Sequence, residues 1–259
     1  KTIQVVSPSV WGWRENRIKA IKNYIDLMMC LFKFECDFYS KKNMQSFFLG
    51  HPFNQLKPKN SDDIIEKYGL EASNSFISIL PGSRASEISE LMPIYILAAK
   101  KLLMLNPNAY FLIPAANKKL ADMIQSSKGI KEIPHKLSID SARDFLSISP
   151  ISIVTSGTAS LEAAVLGSTP IICYKTNRLN YAILSRLIST PFIGLPNLLL
   201  QKHIFPELLQ SDLTPDSIVT NYLKILSDPK KYQCFGSEIN DAMSGEGFEI
   251  AARTIKNLL

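Results

Sequence analysis

Residues 76–105 read FISILPGSRASEISELMPIYILAAKKLLML, and the fold follows from how that stretch divides. Phe76–Leu80 is a short apolar run, strand-sized rather than helix-sized. Pro81-Gly82-Ser83-Arg84 interrupts it with turn chemistry. Ser86–Leu105 then carries apolar residues at helical spacing, with Pro93 tolerable near the first turns. An apolar strand, a glycine turn and a long amphipathic helix make half of a βαβ unit.

The same alternation runs outward in both directions. Downstream, strands are expected at Ala109–Ile113, His135–Ile139, Ile151–Thr155 and Pro170–Tyr174. Helices are expected at Asn117–Ser127, Ser141–Ser147, Ala159–Leu166 and Leu179–Ile188, and the chain reads as mainly helical from Pro215. Upstream, Ile3–Val6, Leu27–Phe32 and Ser46–Leu49 read as strands, with helices at Glu15–Asn23 and Phe34–Ser40. Between the two halves lies GHPFNQLKPKNSDD (residues 50–63), whose prolines, glycine and polar residues read as a linker. Ser61, followed by Asp62 and Asp63, opens the next helix, with the acidic residues at its positive end. Nearly continuous apolar strands alternating with helices predict an α/β protein of two doubly wound, Rossmann-like domains, the first incomplete. The boundaries expected are 1–53 for the later part of the first domain, 54–240 for the second and 241–259 for a closing segment.

Composition excludes several classes. The chain has 259 residues, of which 46% are hydrophobic and 20% charged, with 11 glycines. That is enough apolar material for a sizeable core, too much for a disordered chain, and far too little glycine for a collagen. No apolar stretch approaches the roughly 20 residues of a membrane-spanning helix. The 29 Lys+Arg exceed the 23 Asp+Glu by six, and the excess falls wholly within residues 1–60. Such a segment suits an anionic lipid surface, a nucleic acid or plain solvent. Nucleic-acid binding is disfavoured, because basic and aromatic residues are not interleaved and no known motif is present. Cys30, Cys36, Cys173 and Cys234 form no CxxC pair, and His51, His135 and His203 are far apart in sequence. No metal site is expected, and Cys30 and Cys173 read as core residues in a reducing cytosol. Lys1 enters directly into a strand, so the chain is expected to begin part-way through a longer protein.

Four segments carry candidate chemistry. In doubly wound sheets ligands bind beyond the carboxyl ends of strands. Gly82, Ser83 and Arg84 follow one such end, offering close backbone approach, a hydroxyl and a forked cation suited to phosphate; an ordinary turn with a surface arginine is the alternative. Ser156, Gly157 and Thr158 follow another, with Glu162 one turn on, placed for a ribose diol or for a plain helix cap. Neither segment is GxGxxG or GxxxxGK[ST], which disfavours a dinucleotide dehydrogenase or a P-loop phosphotransferase. The proline-rich stretch 191–210 holds Asn197 and Glu207, as sugar contacts or as turn residues. In SPSVWGWR (residues 7–14), Trp11, Trp13 and Arg14 suit a sugar, an acyl chain or a phosphate, or the tryptophans plug a core.

Together SPSVWGWR, FLGHPF, LPGSRASEI, SGTASLEAAVLG and LPNLLL, in that order, closely resemble the bacterial lipid-A-disaccharide synthases. Each motif alone is weak, but the five run in register from Thr2 to the last helix. The resemblance implies a GT-B fold and an inverting hexosyltransferase, with the closing helix Glu246–Leu259 crossing back to the first domain. It implies transfer of 2,3-diacylglucosamine from UDP to the 6-hydroxyl of 2,3-diacylglucosamine 1-phosphate. The products would be a β(1→6) disaccharide 1-phosphate and UDP, formed without metal or other cofactor. It gives Gly82, Ser83, Arg84, Ser156, Gly157 and Thr158 to the diphosphate, with Arg84 stabilising the leaving group. Glu162 goes to the ribose, Asn197 and Glu207 to the donor side, and Trp11 and Arg14 to substrate. It also implies peripheral association with the cytoplasmic face of the inner membrane and a homodimer. The family's glycine-rich N-terminal loops and acidic general base have no match in residues 1–53, so this chain alone is expected to bind UDP weakly and not to turn over. Another GT-B-like sugar-nucleotide enzyme, such as a UDP-N-acetylglucosamine 2-epimerase, and a non-catalytic sugar-nucleotide-binding remnant are the competing readings.

Overall fold

The computed structural model describes residues 1–10, 17–176 and 191–258. Among these, strands form two sheets, both parallel throughout. The smaller has the order β1 (Ile3–Val5), β2 (Leu27–Cys30), β3 (Ser46–Phe48), connected through α1 (Ile18–Tyr24) and α2 (Lys33–Ser40). The larger has the order β6-β5-β4-β7-β8-β9. Its strands are β4 (Ser75–Leu80), β5 (Ala109–Ala115), β6 (His135–Ile139), β7 (Ile151–Thr155), β8 (Thr169–Tyr174) and β9 (Glu207–Leu209).

The period of two along β4 and its neighbours feeds two helical layers. Ile77, Ile79, Phe111, Ile113 and Ile153 point into one core with Leu91, Met92, Tyr95 and Ile96 of α4 (Ala85–Leu105). On the opposite face, Leu80 and Val154 pack with Leu146 of α6 (Ala142–Ile148) and Ala163 of α7 (Thr158–Val165). Phe76 and Leu112 meet Phe145 there as well. Both faces are covered, which is why these strands are apolar throughout rather than alternating. The chain moves outward from β4 to β5 and β6, returns to pair β7 with β4, and then moves outward the other way. That reversal places a topological switch point between β4 and β7, where a crevice opens beyond the strand ends.

The two sheets are tied together by two passes of backbone. His51 N donates to Met243 O at 2.9 Å and Glu246 N donates to Phe48 O at 2.9 Å. Gly50 and Gly245 lie back to back here: a Cβ on Gly50, whose φ is +91°, would stand 2.6 Å from Gly245 N. The last helices are α9 (Pro215–Ser227), α10 (Pro229–Gln233), α11 (Phe235–Met243) and α12 (Gly247–Leu258), with α5 (Lys118–Gln125), α3 (Ser61–Tyr68) and α8 (Leu195–Leu200) preceding them in the chain. α12 lays Ala251, Ile255 and Leu258 on Leu27, Met29, Phe47 and Leu49 of the smaller sheet.

Several local features differ from the sequence reading. Pro93 is the ninth residue of α4 rather than part of its first turns. It is tolerated because Ser89 and Pro93 are both exposed, so water serves the carbonyl that loses its donor. The helix at 61 is capped by Asn60, whose side chain accepts from Asp62 N at 2.7 Å and Asp63 N at 3.4 Å. The segment after Gly50 is no bare linker. It forms a 3₁₀ turn at Pro52–Gln55, buries His51 between Phe32 (5.2 Å) and Phe53 (4.5 Å), and packs Phe53 and Leu56 on the main core. Also absent from the sequence reading are α8 within LPNLLL and the three-residue strand β9. The helix expected at 179–188 lies outside the described residues.

Candidate functional site

β4 and β7 end side by side, since Leu80 pairs with Val154. The loops that leave them therefore open on the same space, a cavity of about 520 Å³. Gly82, Ser83 and Arg84 line it from one side, and Ser156, Gly157 and Thr158 from the other. Gly82 (φ +103°) and Gly157 (φ +148°) occupy backbone conformations that L side chains rarely adopt. Those two turns let backbone rather than side chain face the cavity. α7 begins at Thr158 with no side chain of the described residues capping it, which leaves its first amides directed at an anion-sized space.

Among the described residues lining the site Arg84 is the cation, with 77% of its side chain exposed, and its Nη1 donates to Glu87 Oε1 at 2.8 Å. Ser156 Oγ donates to Ile193 O at 3.1 Å, so the β7–α7 loop is fastened to the 191–210 stretch. Below the floor, Thr155 Oγ1 and Tyr95 Oη share a hydrogen bond of 3.2 Å. Complete burial holds the Tyr95 hydroxyl well above its ordinary pKa, and burial likewise pushes the Cys173 thiol up to about 12. Both are neutral packing groups beneath the cavity.

Glu162, Asn197 and Glu207 do not line this cavity. Glu162 is 13% exposed and accepts a 2.7 Å hydrogen bond from Arg143 Nε; it does not line the cavity. Asn197 is fully buried and its amide is spent within the protein. Nδ2 donates to Phe205 O and Glu207 Oε1, both at 2.8 Å, and Oδ1 accepts from Ile204 N at 3.1 Å and Phe205 N at 2.9 Å. Glu207 completes the pin by accepting from Ile193 N at 2.9 Å and Gly194 N at 3.0 Å. Through these bonds the two residues shape the 193–207 loop. Trp11 and Arg14 lie outside the described residues. Sequence reasoning missed Glu87, Asp140 and Ser141, which also line the cavity. Glu87 was findable from its place three residues after the helix cap, whereas Asp140 and Ser141 sit in a βα turn whose approach to the cavity is tertiary.

A family model described as lipid-A-disaccharide synthetase, LpxB, matches residues 1–251. The chain belongs to the lipid-A-disaccharide synthase family. It is 35% identical to the lipid-A-disaccharide synthase of Alcanivorax borkumensis over 265 residues, covering all of this chain and 69% of that protein. With the synthase of Hahella chejuensis it shares 37% identity over 233 residues, covering 88% of this chain and 58% of the relative. Among solved structures it resembles the Staphylococcus aureus MnaA–UDP complex (TM-score 0.57, 12% identity, 92% of this chain and 61% of that one). It also resembles MurG of Acinetobacter baumannii (TM-score 0.51, 10% identity, 93% and 62%). Likeness at that identity speaks of the fold alone: two parallel α/β sheets in the GT-B arrangement. Lipid-A-disaccharide synthases are glycosyltransferases of lipopolysaccharide lipid A biosynthesis, and the sequence relationship rather than the fold sets this chain among them.

Proposed function

We propose that this chain carries the UDP-binding side of lipid-A-disaccharide synthase. Residues 54–240 form the nucleotide-binding lobe, and 1–53 with 241–259 form part of the acceptor-side lobe. One observation carries the reading: two glycine-containing strand-end loops of a GT-B fold, one of them carrying Arg84, converge on one cavity at the switch point of the sheet. The structurally similar MnaA holds UDP, which supports the same ligand class here.

In the proposed reaction the C1–O bond between sugar and UDP breaks while the acceptor's 6-hydroxyl attacks C1 from the opposite face, inverting the centre. Negative charge grows on the departing diphosphate. The guanidinium N–H groups of Arg84 beyond the one that meets Glu87, with the amides of Gly157 and Thr158, meet that charge with preorganised donors, the form of stabilisation that lowers a barrier most. Donor and acceptor are UDP-2,3-diacylglucosamine and 2,3-diacylglucosamine 1-phosphate. The chain spans 58% to 69% of the length of the two relatives described above, and no residue of 1–53 is assigned as the base that takes the hydroxyl proton.

Acylated substrates also require a membrane surface. No helix among the described residues is long and apolar enough to cross one. Lys19, Lys22, Lys33 and Lys41 are exposed on α1, α2 and the turn after α2, and Lys22 Nζ donates to Lys42 O at 2.7 Å, drawing the ends of α1 and α2 together. This cluster is the proposed contact with anionic lipid at the cytoplasmic face of the inner membrane. Co-sedimentation with anionic vesicles that fails to weaken with added salt would reject it. The homodimer that the family resemblance implies is checked by sedimentation velocity.

The deciding experiment is calorimetric titration of this chain with UDP, beside Arg84→Ala. Saturable binding, weakened by the substitution about 10- to 100-fold, is the expected result for losing a charge-assisted contact to phosphate. Absence of heat from a folded chain rejects the nucleotide site.

A further inference from the structure

Glu87 stands at the end of the first turn of α4 and lines the same cavity. Its carboxylate already sits where an anion would sit. Oε2 accepts from Ser83 N at 3.0 Å and from Arg84 N at 3.2 Å, and Oε1 accepts from Arg84 Nη1 at 2.8 Å. Gly82 makes room for it: a Cβ on Gly82 would run into the Glu87 carboxylate and come within 2.9 Å of Glu87 Cβ. The Glu87 side chain is 21% exposed against 77% for Arg84, so the carboxylate is tucked under the loop while the guanidinium stands in the opening.

Of the donors this side offers to a phosphate, Glu87 therefore holds both backbone amides and one N–H of the Arg84 fork, leaving the Ser83 hydroxyl and the rest of the guanidinium. Each amide hydrogen serves one strong acceptor, and two anions sharing them repel. The α4 start thus differs from the facing α7 start, where no side chain of the described residues provides a cap. We infer that Glu87 is a built-in competitor for the diphosphate. Its carboxylate must leave the Ser83 and Arg84 amides before a phosphate takes them, and its return helps expel the nucleotide after transfer. Glu87 is a positioning residue that sets how tightly the cradle holds UDP. This inference rests on the nucleotide reading above and deepens it.

The test is titration of the chain and of Glu87→Gln with UDP and with uridine. Glutamine keeps the length and the carbonyl acceptor of the cap but not the charge, and an unchanged thermal midpoint verifies the fold. The variant is expected to bind UDP about tenfold tighter, the order for removing one like charge a few ångström from a diphosphate at a partly solvated site. Uridine, lacking phosphate, should bind both equally. Equal or weaker UDP binding by Glu87→Gln overturns the inference, because a mere cap or an aid to Arg84 would behave that way. In the unaltered chain the backbone amide resonances of Ser83 and Arg84 should shift on saturation with UDP. Their failure to move while UDP saturates would also overturn it, with no variant needed. UDP binding by neither protein rejects the nucleotide site itself and this inference with it.

Discussion

Asp144 has a side chain only 6% exposed, and three groups converge on it: Lys59 Nζ at 2.5 Å, Lys67 Nζ at 2.6 Å and Tyr68 Oη at 2.9 Å. Burial alone would raise its pKa, but the hydrogen bonds from Lys59, Lys67 and Tyr68, with the Lys59 charge, overcome that and hold it at about 2 against an ordinary 3.8. A carboxyl depressed on folding stabilises above its unfolded pKa and loses that stability as pH falls through the folded value. Roughly 2 kcal/mol should therefore disappear between about pH 4 and pH 2. Asp144→Asn, followed by urea unfolding, should be about 2–3 kcal/mol less stable at pH 7, with a flatter acid limb. At the same scale, Asn197→Ala strands the amides of Ile204 and Phe205 and takes one of the three donors from Glu207. A loss of about 2–4 kcal/mol in denaturant titration is expected. The six expected residues that line the cavity were readable because they follow the strongly apolar strands β4 and β7, whereas Asp140 and Ser141 follow β6, a half-exposed strand with a weak signal. The partners of Asn197 and Arg143 were not, because Asn197 bonds across a returning loop and Arg143 meets Glu162 from a different helix.

Elements were legible where length and period agreed. The strands β4, β5, β7 and β8 and the long α4 stand out as buried runs or sustained helical spacing. α8 hid behind Pro196, which is a loop signal in sequence but a favourable residue in a helix's first turn. β9 has three residues and exists because Ile172, Cys173 and Tyr174 offer it a ladder. The crossing at Gly50 and Gly245 belongs to this scale too, since neither glycine explains itself without the other. Gly50→Ala combines a φ of +91° with a backbone only 2.6 Å from the new carbon. It should cost about 2–4 kcal/mol, visible as a lowered thermal midpoint. At Gly69, with nothing within 4 Å of an added Cβ, alanine should cost only about 1 kcal/mol, from its left-handed backbone.

At the scale of the whole molecule, the pairing of a small sheet with a large one was legible from the interrupted strand–helix alternation. Hidden from the sequence was how the segment between them behaves. Phe53 and Leu56 pack into the main core, His51 is stacked on Phe32, and α12 returns from the far end to cover the smaller sheet. The covalent order of the chain therefore says little about which pieces hold one another. A protease cut between Leu56 and Asn60 would yield two fragments on a denaturing gel. In native size exclusion they should still travel as one particle, because the smaller sheet keeps its cover from a helix that belongs to the other fragment.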